Sequence, residues 1–331
     1  MTHARVLLPG AALLATALGY VACGSREIGT PTSPTVIDVV RTSRDEVPVI
    51  DIGDPGEVAV PQPVALPSIL IGAGDVSQCG LEGVVKTGRL MDVLLRQAPA
   101  TAVTFGDNSN DDGSPYKYQC FDRWWGAFKQ ILYPVPGNHD YETDGANPYY
   151  YQYFSNSGPK GLGYYSYDRG SWHIVALNSE LPDPLRAAQF DWLDADLRLH
   201  PSQCSLAYFH RPLFSSGAFA ALRMKRLWDI LYKHGVDVIA NGHEHFFASF
   251  PLLDPDGRRD DRFGIRQIIA GTGGARLFAT PQPTYGETIV GQTWGLLKLT
   301  LGAGDYQWDF VSVDENTLDH GEGLCHAKPA I

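Results

Sequence analysis

The chain has 331 residues, 44% of them hydrophobic and 19% charged, with 35 glycines and 23 prolines. That length can build one large core or two modest ones, and the glycine and proline content predicts many turns. A formal net charge of −11 excludes a protein that tracks along nucleic-acid backbones, whose phosphates need Lys and Arg. It is compatible with binding metal cations.

In chain order, residues 1–22 read as a leader for export. Arg5 gives a basic start, an apolar stretch runs from Val6 to Ala22, and Pro9 and Gly10 break it before it reaches the length of a spanning helix. "YVAC", ending at Cys23, is similar to a bacterial lipoprotein cleavage box, with Tyr20 where such boxes usually have Leu. Cys23 is therefore a candidate for lipidation and membrane attachment, and the expected location is periplasmic, cell-surface or extracellular. Residues 23–66 are proline-rich and read as a linker. With Cys23 removed or lipidated, Cys79, Cys120, Cys204 and Cys325 remain. An even count in an exported protein favours disulfides. Chain order favours Cys79 with Cys120 and Cys204 with Cys325, out of three pairings. No CxxC pair occurs, which argues against a thiolate zinc site.

Organised structure is expected over 67–313, with 314–331 as a C-terminal tail. "SILIGAGD" opens with a strand, and Val84, Val85, Leu90, Leu94 and Leu95 then mark a helical face. "TAVTFGDNSN" is the next strand, followed by a polar loop and "AFKQILYPVPGNHD". The strand-like runs "SWHIVALNSE", "CSLAYFHRP" and "VDVIANGHEH" follow. Between them lie helical patterns at Phe190, Leu193 and Leu197 and at Leu222, Leu227 and Leu231. Strands alternating with helices indicate an α/β fold. The last third, "IRQIIAGTGG", "WGLLKLTL" and "YQWDFVSV", is strand-rich, with a turn over Gly302–Asp305 and a buried face of Tyr306, Trp308 and Phe310.

Five successive apolar runs end in polar clusters: Asp75, Asp107, Asn138 with His139, His210, and His243 with His245. Ligands of α/β sheets bind beyond the strand carboxyl ends. Carboxylates, an amide oxygen and imidazoles, with no thiolate, suit divalent Mn, Fe or Zn. That is more candidates than one ion with an open position needs. Two ions sharing a carboxylate fit better, with Asp107 as the natural bridge.

"GAGD", "GDN", "GNHD", a strand-end His and "GHEH" resemble, in that order, the signature of calcineurin-like metallophosphoesterases. The secreted bacterial branch similar to purple acid phosphatases is the nearest in pattern, and "GYYSYD", "LFSSG" and "GTGGA" add to the resemblance. It implies two packed mixed β-sheets flanked by helices, with the metal site at the strand carboxyl ends. It implies that Asp75 and His245 bind one metal, that Asn138, His210 and His243 bind the other, and that Asp107 bridges them. His139 would protonate the leaving oxygen or stabilise the transition state, with Asp140 orienting its ring. The substrate would be a small phosphorylated molecule, hydrolysed by metal-activated water.

Two positions depart from that pattern. Ser77 stands where many relatives have a metal-binding His, and Asn110 stands where the purple branch has Tyr. The Asn110 oxygen, the Ser77 hydroxyl or water could complete the first metal's ligands. Arg211 could grip a substrate oxygen or pair with a carboxylate. His173, His200, His234, His320 and His326 are expected to be structural or exposed. Tyr149–Tyr153 would form a packed loop or a pocket rim. The leading expectation is a phosphomonoesterase. A phosphodiesterase for nucleotides or lipid head groups, and a surface binding protein with a degraded metal site, are the alternatives.

Overall fold

The apolar runs become strands that sort into two sheets. The computed structural model describes residues 67–143, 145 and 148–326. The expected leader, Cys23, the linker before residue 67 and the last five residues lie outside the described residues. In chain order come β1 (Ser68–Ala73), α1 (Gly83–Gln97), β2 (Thr101–Phe105), α2 (Pro115–Trp125), β3 (Leu132–Val135), α3 (Tyr150–Tyr153), β4 (Tyr165–Arg169) and β5 (Trp172–Ala176). There follow α4 (Leu185–Leu199), β6 (Cys204–Tyr208), α5 (Lys225–Lys233) and β7 (Val238–Asn241). Six strands complete the fold: β8 (Phe247–Leu253), β9 (Ile265–Ala270), β10 (Thr288–Val290), β11 (Gly295–Leu301), β12 (Asp305–Ser312) and β13 (Thr317–Leu324).

One sheet has the order β13-β12-β11-β1-β2-β3 and the other β10-β8-β9-β7-β6-β5-β4. Parallel pairing of β1, β2 and β3, and of β5, β6, β7 and β9, aligns the carboxyl ends that carry the polar clusters. Antiparallel β11 and β12 extend the first sheet past β1. Both sheets are therefore mixed, as expected.

The sheets pack face to face around Phe105, Tyr208, Phe247 and Phe310, each at most 1% exposed. Phe247 and Phe310 stack across the interface at 4.2 Å. Each such burial contributes about 1.5–3 kcal/mol before entropy costs. Helices α1 and α2 cover the outer face of the first sheet, and α4 and α5 that of the second. Helix α1 buries Val84, Leu90, Met91 and Leu94, the stripe a 3.6-residue period predicts. Among the described residues no helix is long and apolar enough to cross a membrane. Both disulfides favoured by chain order are present, Cys79–Cys120 and Cys204–Cys325.

Two expectations change. The segment read as a polar loop contains α2, which buries Tyr118, Phe121 and Trp125 and starts with a Ser114 cap and Pro115 at its first turn. The tail is not free of the domain. Residues Thr317–Leu324 add β13 to the first sheet, pairing Trp308 with Gly321 and Tyr306 with Gly323. Its glycines leave room for those rings, because a Cβ at Gly321 would lie 2.2 Å from the Trp308 ring. Of the two places left open for Tyr149–Tyr153 the packed one is taken, with Tyr150, Tyr151 and Tyr153 in the core beside Tyr118.

Candidate metal centre

Each polar cluster sits in the turn that leaves its strand, and a glycine precedes four of the residues concerned: Gly74, Gly106, Gly137 and Gly242. At Gly137 the reason is space, since a Cβ there would lie 2.2 Å from Asp107 Oδ1. At Gly106 the backbone is left-handed, with φ +87°. Asp75, Asp107 and His243 are themselves left-handed, at φ +58°, +51° and +70°. Such backbone costs roughly 1–3 kcal/mol per residue and persists where surrounding structure enforces it. The turns are tied together: Asp75 N donates to Gly106 O at 2.9 Å, Gly242 N to His210 O at 3.1 Å, and His243 N to Asp75 Oδ2 at 2.7 Å.

The donor atoms crowd one another. His210 Nε2 lies 3.2 Å from Asp107 Oδ2, 3.2 Å from Asn138 Oδ1 and 3.1 Å from His243 Nδ1. Ligands on one ion with bonds of about 2.0–2.1 Å stand about 3.3 Å apart in a tetrahedron. The His210 ring donates Nδ1–H to Phe105 O at 2.9 Å, which turns the Nε2 lone pair inward. His245 is held likewise, Nδ1 on Arg276 O, with Nε2 3.0 Å from Asp75 Oδ1. Asp75 Oδ1, Asp107 Oδ2 and Asn110 Oδ1 are buried without a hydrogen-bond partner. Buried oxygens are seldom left so. A divalent cation would satisfy them, and the residues present fit such an ion.

The local charges agree. Burial favours a neutral Asp107, yet His210 and then His139 hold its carboxyl well below the ordinary range. Burial likewise opposes a charged His210, but without an ion Asp107 lifts its pKa to about 9, so that a proton stands where a cation would. His243 is pushed down to about 2 by burial, then by His210 and Arg211. It is a neutral imidazole with one ring-nitrogen lone pair to offer.

His139 lies at the cavity with Nε2 3.9 Å from Asp107 Oδ2. The reading that Asp140 orients this ring is corrected. Asp140 is 1% exposed and accepts from Asn108, Ser109, Tyr118 and Gly137, so it fastens the loop and not the imidazole. Glu142 takes that place, with Oε1 2.8 Å from His139 Nδ1. Residues 139–141 form a 3₁₀ turn, in which side chains three apart stand one above the other and immediate neighbours diverge. Asn110 lines the cavity, whereas the buried Ser77 hydroxyl, also without a partner, does not. Arg211 is paired: Nε lies 2.8 Å from Glu180 Oε1, and Nη1 lies 2.7 Å from His243 Nε2. Sequence reasoning missed Glu142, Glu180 and Glu244. Glu244 lies between His243 and His245 and accepts from Ser215 Oγ and Phe219 N. Its place inside "GHEH" was the available signal.

Purple acid phosphatase 15 of Arabidopsis thaliana is 24% identical over 289 residues, covering 77% of this chain and 51% of that protein. A 3',5'-cyclic-nucleotide phosphodiesterase of Nostoc sp. is 30% identical over 148 residues, covering 41% of this chain and 51% of its own length. The chain thus spans about half the length of these curated relatives. The structure of purple acid phosphatase PPD1 from yellow lupin superposes with a TM-score of 0.64 at 17% identity, over 77% of this chain and 53% of the other. That likeness is one of fold. The sequence profile described as calcineurin-like phosphoesterase matches residues 53–247, more than half of the chain and every strand-end cluster from Asp75 to His245, so the chain belongs to the calcineurin-like phosphoesterase family.

Proposed function

We propose that this protein is an exported, two-metal phosphoesterase that hydrolyses phosphomonoesters. The observation that carries the reading is the crowding of His210 Nε2, Asp107 Oδ2, Asn138 Oδ1 and His243 Nδ1 beside buried carboxylate oxygens that have no hydrogen-bond partner. Asp75 and His245 would hold one ion, and Asn138, His210 and His243 the other, with Asp107 shared. The Asn110 amide oxygen is favoured over the Ser77 hydroxyl as the further ligand, because Asn110 lines the cavity. The ions would be divalent Fe, Mn or Zn, since no phenolate stands at position 110 to favour a ferric ion. When bound, such a pair supplies the Lewis acidity that makes water nucleophilic near neutral pH and offsets charge on the phosphoryl oxygens.

The chain's own groups do the rest. Glu142 holds His139 Nδ1, so Nε2 faces the cavity and can hand a proton to the leaving oxygen. Asp140 keeps the loop that carries Asn138 and His139 in register. Arg211, clamped by Glu180, steadies the His243 ring and is not free to grip substrate. Export is supported by the two disulfides, which persist in oxidising compartments.

The test is metal content together with turnover of a monoester and a bis-ester chromogenic substrate after reconstitution with Mn or Zn. Two ions per chain and preferred monoester turnover are expected. Preferred bis-ester turnover favours the second reading, a phosphodiesterase, which the resemblance to the Nostoc enzyme supports. One ion or none, without turnover, favours a surface binding protein and overturns the proposal.

A further inference from the structure

The cavity over the donor cluster measures about 480 Å³, more than a phosphoryl group fills. All of its lining side chains are polar except two, Phe219 and Phe278. Phe278 lies flat on the His245 ring, with centroids 4.0 Å apart and planes 11° apart. Phe219 meets Phe278 at 5.5 Å and the His243 ring at 5.4 Å. Phe219 is nevertheless 46% exposed. A phenyl ring left open to water at the lip of a polar cavity forgoes the free energy of burial. Nothing about this loop leaves the ring there by default. Phe219 N donates to Glu244 Oε1 at 2.8 Å, and Ser215 Oγ donates to the same oxygen at 2.7 Å. The loop is thereby fastened to the residue between His243 and His245.

We propose that Phe219 and Phe278 form a ledge that binds the planar, apolar alcohol portion of a phosphate ester, so that the site selects aromatic esters over small alkyl esters. The proposal rests on the phosphoesterase reading and names the substrate class of that site. Among the described residues no other wall of the cavity offers an apolar face, so a hydrophobic substituent on phosphorus has one place to go. The shared chemistry is a flat ring, which either an aryl ester or a nucleoside ester supplies. The nucleoside ester differs in putting a sugar between ring and phosphorus.

The experiment uses full-length, metal-loaded protein with 1-naphthyl phosphate, AMP and glycerol 2-phosphate. In Phe219→Ala the ratio of kcat/KM for 1-naphthyl phosphate to that for glycerol 2-phosphate should fall by about 10-fold. Phe219→Trp should restore or raise it. The same fall in the AMP ratio instead assigns the ledge to nucleoside esters. Calorimetry gives a readout that needs no turnover: the affinity for 1-naphthyl phosphonate relative to inorganic phosphate should drop by the same factor. Metal content is measured in each variant, so that damage to the donor cluster is seen directly. Ratios unchanged from the parent protein, with both ions retained, overturn the ledge. Binding that follows the ledge in a protein that turns over no ester overturns the phosphoesterase reading and leaves the ledge standing.

Discussion

In His173, Asp196 and His200, as in Asp107, His210 and His243, donor atoms of all three residues lie within 4.8 Å of one another. The two clusters differ in what is left over. His173 has Nδ1 2.8 Å from Asp168 Oδ1 and Nε2 2.8 Å from Asp196 Oδ2, and Ser166 Oγ donates to the other Asp196 oxygen at 2.9 Å. Each of these atoms has its partner. At the strand ends, His210 and His245 spend one nitrogen on a main-chain carbonyl and turn the other inward, towards carboxylate oxygens that have no hydrogen bond. Proximity of imidazole and carboxylate is thus shared by a structural clasp and the proposed metal centre. Unspent donor capacity separates them.

Substitutions can break that contrast. The largest effect is expected from Asp107→Asn, which exchanges the carboxylate proposed to be shared for an amide. Affinity for at least one ion should fall by more than the roughly 10–100-fold that loss of a group behind a ligand costs, and turnover should go with it. Full metal occupancy with ordinary activity would place the two clusters on the same footing. Next is His139→Ala. It should keep both ions and lose about 10²-fold in turnover of alkyl phosphates, and less for an activated aryl phosphate whose leaving group scarcely needs a proton. Loss of metal from this variant, read by elemental analysis, would make His139 a ligand.

Asn110 sharpens the contrast at its weakest point. An amide adds no negative charge to the first ion, so purified protein should be colourless in the visible, inactivated by chelators and restored by Mn or Zn. A strong visible band with bound ferric iron would show that a tyrosine fills the ligand position. The smallest effect on activity belongs to the clasp. His173→Gln should leave metal content and turnover as they were and lower stability by roughly 1.5–3 kcal/mol. Burial opposes charge on His173, but Asp196 and then Asp168 raise its pKa above 6.5. Its contribution is complete below pH 6.5 and fades as pH rises through the higher folded value. Burial works against a charged Asp196 too, yet His173 lowers its pKa below 3.8, so that share is present above 3.8 and fades as pH falls through the lower folded value. The gap in melting temperature between parent and variant should therefore be widest from about pH 4 to 6.5 and close towards alkaline pH. A gap independent of pH would mean that His173 matters only as packing.

The sequence displayed the strand-end residues because each follows an apolar run and a turn, and Asp75, Asn138 and His245 were legible one by one. Adjacency misled at Asp140. Two neighbours on a tight turn point apart, and only the spacing to Glu142 told which carboxylate meets the ring. Helix α2 was legible in principle: Tyr118, Phe121 and Trp125 have helical spacing and Ser114-Pro115 is a start signal, but Lys117, Asp122 and Arg123 masked the stripe. Strand β13 was not legible. Thr317, Asp319, Gly321 and Gly323 have no apolar alternation, and the strand exists because Trp308 and Tyr306 present their rings to its glycines. Phe219 and Phe278 were equally hidden, since neither belongs to a strand-end cluster and only the folded loops bring them to the two imidazoles.

The neighbour of β1 on its second side is β11, with Ser68 opposite Leu301. The first strand of the domain, whose turn carries Asp75, is thus completed by a segment synthesised more than two hundred residues later. Until residues 295–301 have left the ribosome, one edge of β1 has no mate, and the turn that carries Asp75 leaves a strand paired on one side only. An order of events is written into that pairing. The centre is assembled near the end of synthesis, the chain passes most of its making without a finished site, and a product ending before β11 would expose a bare strand where the finished protein has the middle of a sheet.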